Sequence, residues 1–202
     1  MSNTSSTRGY GILEGFLAKE RAKTANKFIP PICRLGKILD LGCGKHPYFL
    51  INAGFFESHG LDKVGRDKNY GMDGGHSVYV KNWDFENNLS IPHSDNFFDA
   101  VTMLAVIEHV ETDNLPRLLK EIYRILKPGG IYVITTPANW TDFLLKTMAR
   151  IRLLSPDEIS DHKDVYTHKK LGALLEKAGF LRENICLGHF EIFMNLWVTA
   201  TK

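Results

Sequence analysis

A short apolar run that ends in a glycine-rich turn is the strongest constraint in this sequence. Residues 38–41 (Ile-Leu-Asp-Leu) have the composition of a buried strand, and Gly42 and Gly44 follow at once. Glycine accepts a positive φ and lets a ligand approach the backbone, because it has no Cβ atom. Pro47 can then open a helix, since its fixed φ suits the first helical position. Strand, tight turn and helix in this order are typical of a nucleotide-binding segment.

Apolar segments alternate with amphipathic ones along the rest of the chain. A continuously apolar stretch at 97–105 predicts a strand buried on both faces, with the strand at 130–136 as its neighbour. Between them, leucine and isoleucine recur at helical spacing over 114–126, and this helix should end at the Lys-Pro-Gly-Gly segment 127–130. The remaining predicted elements are strands at 59–62, 77–85, 185–190 and 192–199, and helices at 12–29, 48–53 and 168–178.

Strands that alternate with helices indicate an α/β fold with a doubly wound, mostly parallel sheet and right-handed crossovers. The last two strands are joined by so short a link that they must pair antiparallel. With 202 residues, 44% of them hydrophobic, the chain is long enough for one well-buried core and short for two. We therefore expect a flexible tail at 1–9 and a single domain over 10–202.

Two segments of this domain leave alternatives open. The N-terminal helix, within 10–30, either packs on the sheet or forms a flap over a ligand. Residues 138–163 form an extra segment that contains a basic amphipathic helix. That helix is either an ordinary surface helix, a cap over a substrate pocket, or a peripheral contact with lipid through 141–154.

Charge and cysteine content narrow the function classes. Lys plus Arg (25) against Asp plus Glu (23) leaves a formal charge of +2, which disfavours a nucleic-acid partner. The three cysteines are odd in number and widely spaced, so neither a disulfide framework nor a metal site is expected, and a reducing cytoplasm fits best. The first seven residues are polar, and no apolar run reaches about 18 residues, so we expect neither a signal peptide nor a transmembrane segment.

Carboxylates near the ends of the predicted strands indicate what kind of ligand meets the turn. Asp40 would repel a pyrophosphate and suits a cationic ligand, and Pro47 stands where a dinucleotide fingerprint requires its third glycine. NAD is therefore the weaker interpretation. Asp62, at the end of the second strand, has the spacing of a residue that accepts both ribose hydroxyls, with a role as a turn or cap residue as the alternative. Asp84 either accepts a hydrogen bond from an adenine amino group, with the Phe85 amide near a ring nitrogen, or caps a helix.

Several motifs together resemble those of class I S-adenosylmethionine-dependent methyltransferases, of a small single-domain type related to small-molecule methyltransferases. They match in order and spacing from about residue 36 to 180. The matching segments are Ile38-Leu39-Asp40-Leu41-Gly42-Cys43-Gly44, Gly60-Leu61-Asp62, Asp84-Phe85, Phe98-Asp99-Ala100-Val101 through Ile107-Glu108-His109-Val110, and Leu126-Lys127-Pro128-Gly129-Gly130. The resemblance implies a Rossmann-like sheet of seven strands with an antiparallel C-terminal hairpin.

The same resemblance implies S-adenosylmethionine as cofactor and S-adenosylhomocysteine as product. It places Asp40, Gly42 and Gly44 at the methionine part, Asp62 at the ribose, and Asp84 with Phe85 at the adenine. Cys43 and Lys63 are further expected cofactor-binding residues. Leu104 and Ala105 would border the cofactor on the side of the methyl acceptor. The family often carries another glycine where this chain has His46, so the path of the turn and its contact with the methionine carboxylate are open.

Methyl transfer from a sulfonium requires mainly alignment of the acceptor, although an oxygen acceptor gains from a general base. Histidine is the usual base, so His109 is a candidate, with a structural role in its loop as the alternative. His162 and Tyr166 are further catalytic candidates. We expect a small-molecule or carrier-linked acceptor, methylated at oxygen. A non-catalytic cofactor-binding protein on the same fold is the alternative function, and an NAD-dependent oxidoreductase is a weaker one. We expect the protein to be a monomer or a homodimer.

Overall fold

The computed structural model describes residues 14–71, 76–85, 87, 88, 90–138, 166–190 and 194–202. The predicted tail at 1–9 and nearly all of the predicted extra segment at 138–163, including the possible lipid contact at 141–154, lie outside these residues. The described residues form four α-helices, which are α1 (Glu14–Phe28), α2 (Tyr48–Asn52), α3 (Leu115–Ile125) and α4 (His168–Ala178). Short 3₁₀ helices lie at Pro31–Leu35, Ile107–His109 and Arg182–Asn184.

Eight strands of the described chain form one sheet. They are β1 (Lys37–Leu41), β2 (Glu57–Asp62), β3 (Lys68–Gly71), β4 (Ser77–Asn82), β5 (Phe98–Leu104), β6 (Leu126–Pro137), β7 (Ile185–Phe190) and β8 (Asn195–Thr201). Their order across the sheet is β3-β4-β2-β1-β5-β6-β8-β7. The central strands pair in parallel, β8 pairs antiparallel with both β6 and β7, and β3 pairs antiparallel with β4. The predicted α/β class, the pairing of β5 with β6 and the closing hairpin are confirmed.

The strand count differs from the predicted seven because β3 was not expected. Its sequence, Lys-Asn-Tyr-Gly, has no apolar alternation, and most of its side chains are exposed. It forms at the edge of the sheet through backbone pairing with β4. Such pairing does not require a particular pattern of side chains, so the local sequence does not predict it. The Lys-Pro-Gly-Gly segment ends α3 as predicted, but it also belongs to β6, where the register with β5 shifts and Gly129 has a φ of 78°.

Helices cover both faces of the sheet and give it two apolar clusters. On one face α3 and α4 pack on residues such as Leu39 and Val101, and on the other α1 and α2 pack on residues such as Ile38. Alternate residues of one strand thus point into different clusters, as expected for a strand buried on both sides. Ala22 and Ala25 of α1 belong to the second cluster, together with Ile29 just after the helix, so α1 packs on the sheet.

The order of the strands fixes where a ligand can bind. Successive crossovers lead from β1 to β2 in one direction and, through β5, to β6 in the other. The chain therefore leaves the carboxyl ends of β1 and β5 in opposite directions, and a crevice opens between them. The predicted glycine turn follows β1 at this edge.

We expect Leu118→Ala to lower the free energy of unfolding by about 2–5 kcal/mol, because Leu118 of α3 is fully buried in the first cluster and its truncation leaves a cavity. Leu181→Ala removes the same atoms from a side chain that is 59% exposed, so its effect should stay within about 0.5 kcal/mol. Urea denaturation of the two variants measures the difference. Equal effects would contradict the packing of α3.

Candidate functional site

The turn after β1 has the backbone conformation that its glycines predict. Gly42 has a φ of 77° and Gly44 a φ of 73°, both in the left-handed region. A Cβ atom on Gly42 would lie 2.4 Å from Cγ2 of Val106, in the loop after β5. Glycine at this position therefore lets the turns after β1 and β5 pack against each other across the crevice.

Asp62 holds this turn in place from the end of β2. The residue is 1% exposed; its Oδ2 accepts a hydrogen bond from the amide of Gly44 at 2.9 Å, and its Oδ1 accepts one from the amide of Val64 at 2.7 Å. Holding a turn is the kind of role that sequence reasoning gave as the alternative for Asp62. The contact with ribose hydroxyls stays a prediction.

Asp40 is the second buried carboxyl at this edge. It is 4% exposed, and its Oδ1 accepts a hydrogen bond of 2.6 Å from the hydroxyl of Thr102, its register partner on β5. Burial raises the pKa of Asp40 to about 7; the negative charge of Asp62 adds to this rise and the hydrogen bond from Thr102 opposes it. A buried acidic group in the crevice is the environment that a cationic ligand requires. Thr102 was not among the predicted site residues.

The predicted adenine end lies after β4. Asp84 is half-buried; its carboxylate accepts hydrogen bonds from the side-chain amide of Asn87 at 2.7 Å and from the Asn87 backbone amide at 3.4 Å. These contacts close a turn and do not cap a helix among the described residues, and the adenine contact stays a prediction. Phe85 packs against the first apolar cluster, and the side chain of Lys63 is exposed.

The loop after β5 borders the other side of the crevice. Ala105 has a φ of 55°, unusual for a residue with a Cβ atom, and its amide donates to the carbonyl of Thr135 at 2.9 Å. Glu108 is 3% exposed and accepts a hydrogen bond from the hydroxyl of Thr136 at 3.0 Å. His109 follows it and is half-buried. A glutamate among apolar residues was the available signal for this buried pair, which sequence reasoning did not use.

The remaining candidates lie in different surroundings. Leu104 is half-buried and packs against the second cluster, and Cys43 is buried with its Sγ 3.6 Å from the carbonyl oxygen of Gly44. Tyr166 is 1% exposed within the first cluster, forms a bridge with Ala138, and has Nζ of Lys170 at 4.9 Å from its ring centre. His162 lies outside the described residues.

His46 and Pro47 show how the turn continues. The side chain of His46 is exposed, and its carbonyl accepts a hydrogen bond from the Tyr48 amide at 2.7 Å. Pro47 immediately precedes α2 and is not its first residue, and α2 has only five residues. His46 is thus a surface residue of the turn.

Two further properties concern the described part of the chain. Its His, Cys, Asp and Glu residues form no cluster of three or more that could hold a metal ion. None of its helices combines the length and the apolar character that crossing a membrane requires.

Comparisons with known proteins agree on one family. A family model for a methyltransferase domain matches residues 13–182. The chain is 34% identical over 104 residues to a tRNA (carboxymethyluridine(34)-5-O)-methyltransferase of Arabidopsis thaliana. This alignment covers 48% of this chain and 23% of that protein. It is 33% identical over 106 residues to a demethylmenaquinone methyltransferase of Symbiobacterium thermophilum, covering 48% of this chain and 40% of the relative. The match thus spans less than half of each relative's length.

The fold agrees with solved structures as well. A crystal structure of a SAM-dependent methyltransferase from Archaeoglobus fulgidus superimposes with a TM-score of 0.68 and covers 93% of this chain and 94% of the other. The two sequences are 18% identical, so this likeness concerns the fold.

We expect Asp40→Asn to stabilise the protein more at about pH 8 than at about pH 5. Between its ordinary pKa of 3.8 and the raised value of about 7, folded Asp40 holds a proton that the unfolded chain has lost. The free energy of unfolding of the wild type therefore falls as the pH rises through this window, by about 4 kcal/mol in all, of which about 3 kcal/mol lies between about pH 5 and about pH 8. Asparagine does not titrate. Urea denaturation at both pH values measures the change. The exposed Asp113→Asn should show no such pH dependence, and an equal result for Asp40→Asn would contradict the raised pKa.

Proposed function

The chain belongs to the methyltransferase-domain family, and from this premise we propose that it is an S-adenosylmethionine-dependent methyltransferase. We further propose that it moves the methyl group to an oxygen of a small-molecule or carrier-linked acceptor. The proposal of this cofactor rests on a pair of buried carboxyls, Asp40 and Asp62, on either side of a left-handed glycine turn at the carboxyl edge of the sheet.

The chemistry of this pair fits a cationic nucleoside. Asp40 offers a buried acidic group to a sulfonium or ammonium, and Asp62 offers acceptor positions to ribose hydroxyls at the neighbouring strand end. A dinucleotide pyrophosphate would instead bring negative charge against two carboxyls. The site therefore favours S-adenosylmethionine over NAD.

The reaction that follows from this site is an in-line displacement. The methyl group of the bound sulfonium is already electrophilic, so the protein has to hold an acceptor oxygen on the line of the S–CH₃ bond and exclude water. Such positioning supplies roughly 7–11 kcal/mol of the barrier. The loop after β5, with Ala105 at a positive φ and the buried Glu108, is the rigid wall against which we propose that the acceptor is held.

The net charge of the chain and the name of one relative support the proposed acceptor class. The net charge of +2 is a small excess of positive charge for a nucleic-acid partner, which favours a small or carrier-linked acceptor. The name of the plant relative describes methylation at an oxygen, and we propose the same acceptor atom for this chain. That name also describes a tRNA, so RNA is the second candidate substrate and belongs in any acceptor screen.

Calorimetric titration should show that S-adenosylmethionine and S-adenosylhomocysteine bind and that NAD does not. Asp62→Ala should weaken binding of S-adenosylmethionine by about 10–100-fold or more, because it removes a charged acceptor from the ribose and releases the turn at Gly44. Asp113→Ala, which removes an exposed carboxylate, should bind like the wild type. Binding of NAD alone would contradict the proposal.

The acceptor is identified by incubating the protein with labelled methyl donor and either metabolite extract or total tRNA, followed by mass analysis of the product. Formation of S-adenosylhomocysteine together with a labelled metabolite supports the proposal in full. A labelled tRNA would replace the acceptor class and keep the reaction. Cofactor binding without any transfer would favour the non-catalytic alternative.

We propose His109 as the general base for the acceptor oxygen, because it follows the wall of the crevice and is half-buried there. His109→Gln should then lower kcat by about 10²–10⁴-fold and remove the acid limb of the pH–rate profile, with the affinity for S-adenosylmethionine unchanged. The exposed His46→Gln serves as the control. Wild-type turnover in His109→Gln would leave His109 a structural role only.

A further inference from the structure

The two buried carboxyls at the carboxyl edge are held by different kinds of hydrogen-bond donor. Asp62 is bound by two backbone amides, at 2.9 Å and 2.7 Å. Asp40 is bound by a side-chain hydroxyl, that of Thr102, at 2.6 Å. The partner of Asp40 is thus a group that can also accept a hydrogen bond.

A backbone amide can only donate a hydrogen bond, whereas a hydroxyl can donate or accept one. The two amides that bind Asp62 therefore act as donors only. The hydroxyl of Thr102 matches either state of Asp40. It can donate to the carboxylate, or it can accept from the protonated carboxyl.

A second acceptor completes this exchange. The hydroxyl oxygen of Thr102 also lies 3.4 Å from the carbonyl oxygen of Leu39. When Asp40 is protonated, its Oδ1–H can donate to Thr102, and the hydroxyl proton of Thr102 can turn to Leu39. Both protonation states are thus accommodated with the heavy atoms in the same positions, at a site where Thr102 is 0% exposed.

The surroundings favour the neutral state of Asp40 until a cation arrives. The charged neighbour of Asp40 on β2 is Asp62, and its neighbour on β5 is the uncharged Thr102. The turn after β1 contributes the buried Cys43 and the exposed Lys45 and His46. Burial, with the charge of Asp62, raises the pKa of Asp40 to about 7. A ligand cation beside it would favour the ionised form.

Building on the proposed function, we propose that Asp40 releases its proton to solvent when the cofactor binds, so that its carboxylate lies beside the positive charge of the cofactor. Thr102 is the residue that positions Asp40 in both protonation states. Cofactor binding is then coupled to the release of one proton. The affinity for S-adenosylmethionine rises by up to about tenfold per pH unit below neutrality and levels off above it. No bond other than the Asp40 O–H bond is broken.

The test is calorimetric titration of the full chain at about pH 6 in two buffers of different ionisation enthalpy, which counts the protons released on binding. Three ligands separate the possible cations. S-adenosylmethionine carries a sulfonium and an ammonium, S-adenosylhomocysteine carries only the ammonium, and methylthioadenosine carries neither. We expect release of close to one proton with the first and none with the third. Equal release with the second assigns the ammonium to Asp40, and a smaller release assigns the sulfonium.

Variants of Thr102 separate positioning from mere packing. Thr102→Val removes the hydroxyl at nearly constant volume, so the pH midpoint of cofactor affinity should move upward by about one unit, and Thr102→Ser should restore it. Thr199→Val makes the same change at a buried threonine of β8 and should leave the midpoint unchanged. If Thr102→Val does not fold, Asp40→Asn tests the same point, because its cofactor binding should release no proton.

The outcomes distinguish this inference from the function on which it rests. Binding of S-adenosylmethionine without proton release, with an affinity independent of pH between about 5 and 8, overturns the role of Asp40 and leaves the proposed function intact. Equal proton release with methylthioadenosine also overturns it, since that proton must come from another group. Failure to bind S-adenosylmethionine at any pH overturns both.

Discussion

The carboxylate of Asp62 binds the amides of two turns at once, and the architecture of the ligand edge depends on this contact. Gly44 belongs to the turn after β1 and Val64 to the turn after β2, so one side chain fixes both strand ends relative to each other. The turn after β1 in turn packs against Val106 in the loop after β5, which only a glycine at position 42 permits. Three strand ends are thereby held around one crevice before any ligand is present.

This arrangement explains why the site combines rigidity with unfavourable electrostatics. The two buried carboxyls cost stability, because the charge of Asp62 disfavours the ionised form of Asp40. The hydrogen bonds from amides and from Thr102 compensate only in part, as the raised pKa of Asp40 shows. Such a site is destabilising in the empty protein and complementary to a cation, which is a common relation between stability and function.

The course of the fold follows from sequence to a large extent. Apolar runs and helical spacing predicted α3, α4 and the strands β1, β5 and β7 with ends close to those observed, because these elements have buried faces that the pattern reflects. β6 was predicted as well, but it begins four residues earlier than expected. The edge strand β3 could not be predicted in this way, since its residues are exposed and only backbone pairing makes it a strand. Asp40, Asp62 and the glycines were predicted from their position at strand ends, whereas Thr102 and the Glu108–Thr136 pair depend on register between distant segments.

Asp40 and Thr102 are 62 residues apart in the chain, and their hydrogen bond requires β1 and β5 to be paired in the correct register. The binding site therefore exists only after these long-range strand contacts have formed, and a chain with local helices alone cannot bind the ligand. A ligand held at one hundred times its Kd would add about 2.7 kcal/mol to the stability of the complete fold. The supply of cofactor would thereby set the fraction of molecules that opens far enough for proteolysis, which couples the turnover of this protein in the cell to the metabolite that it binds.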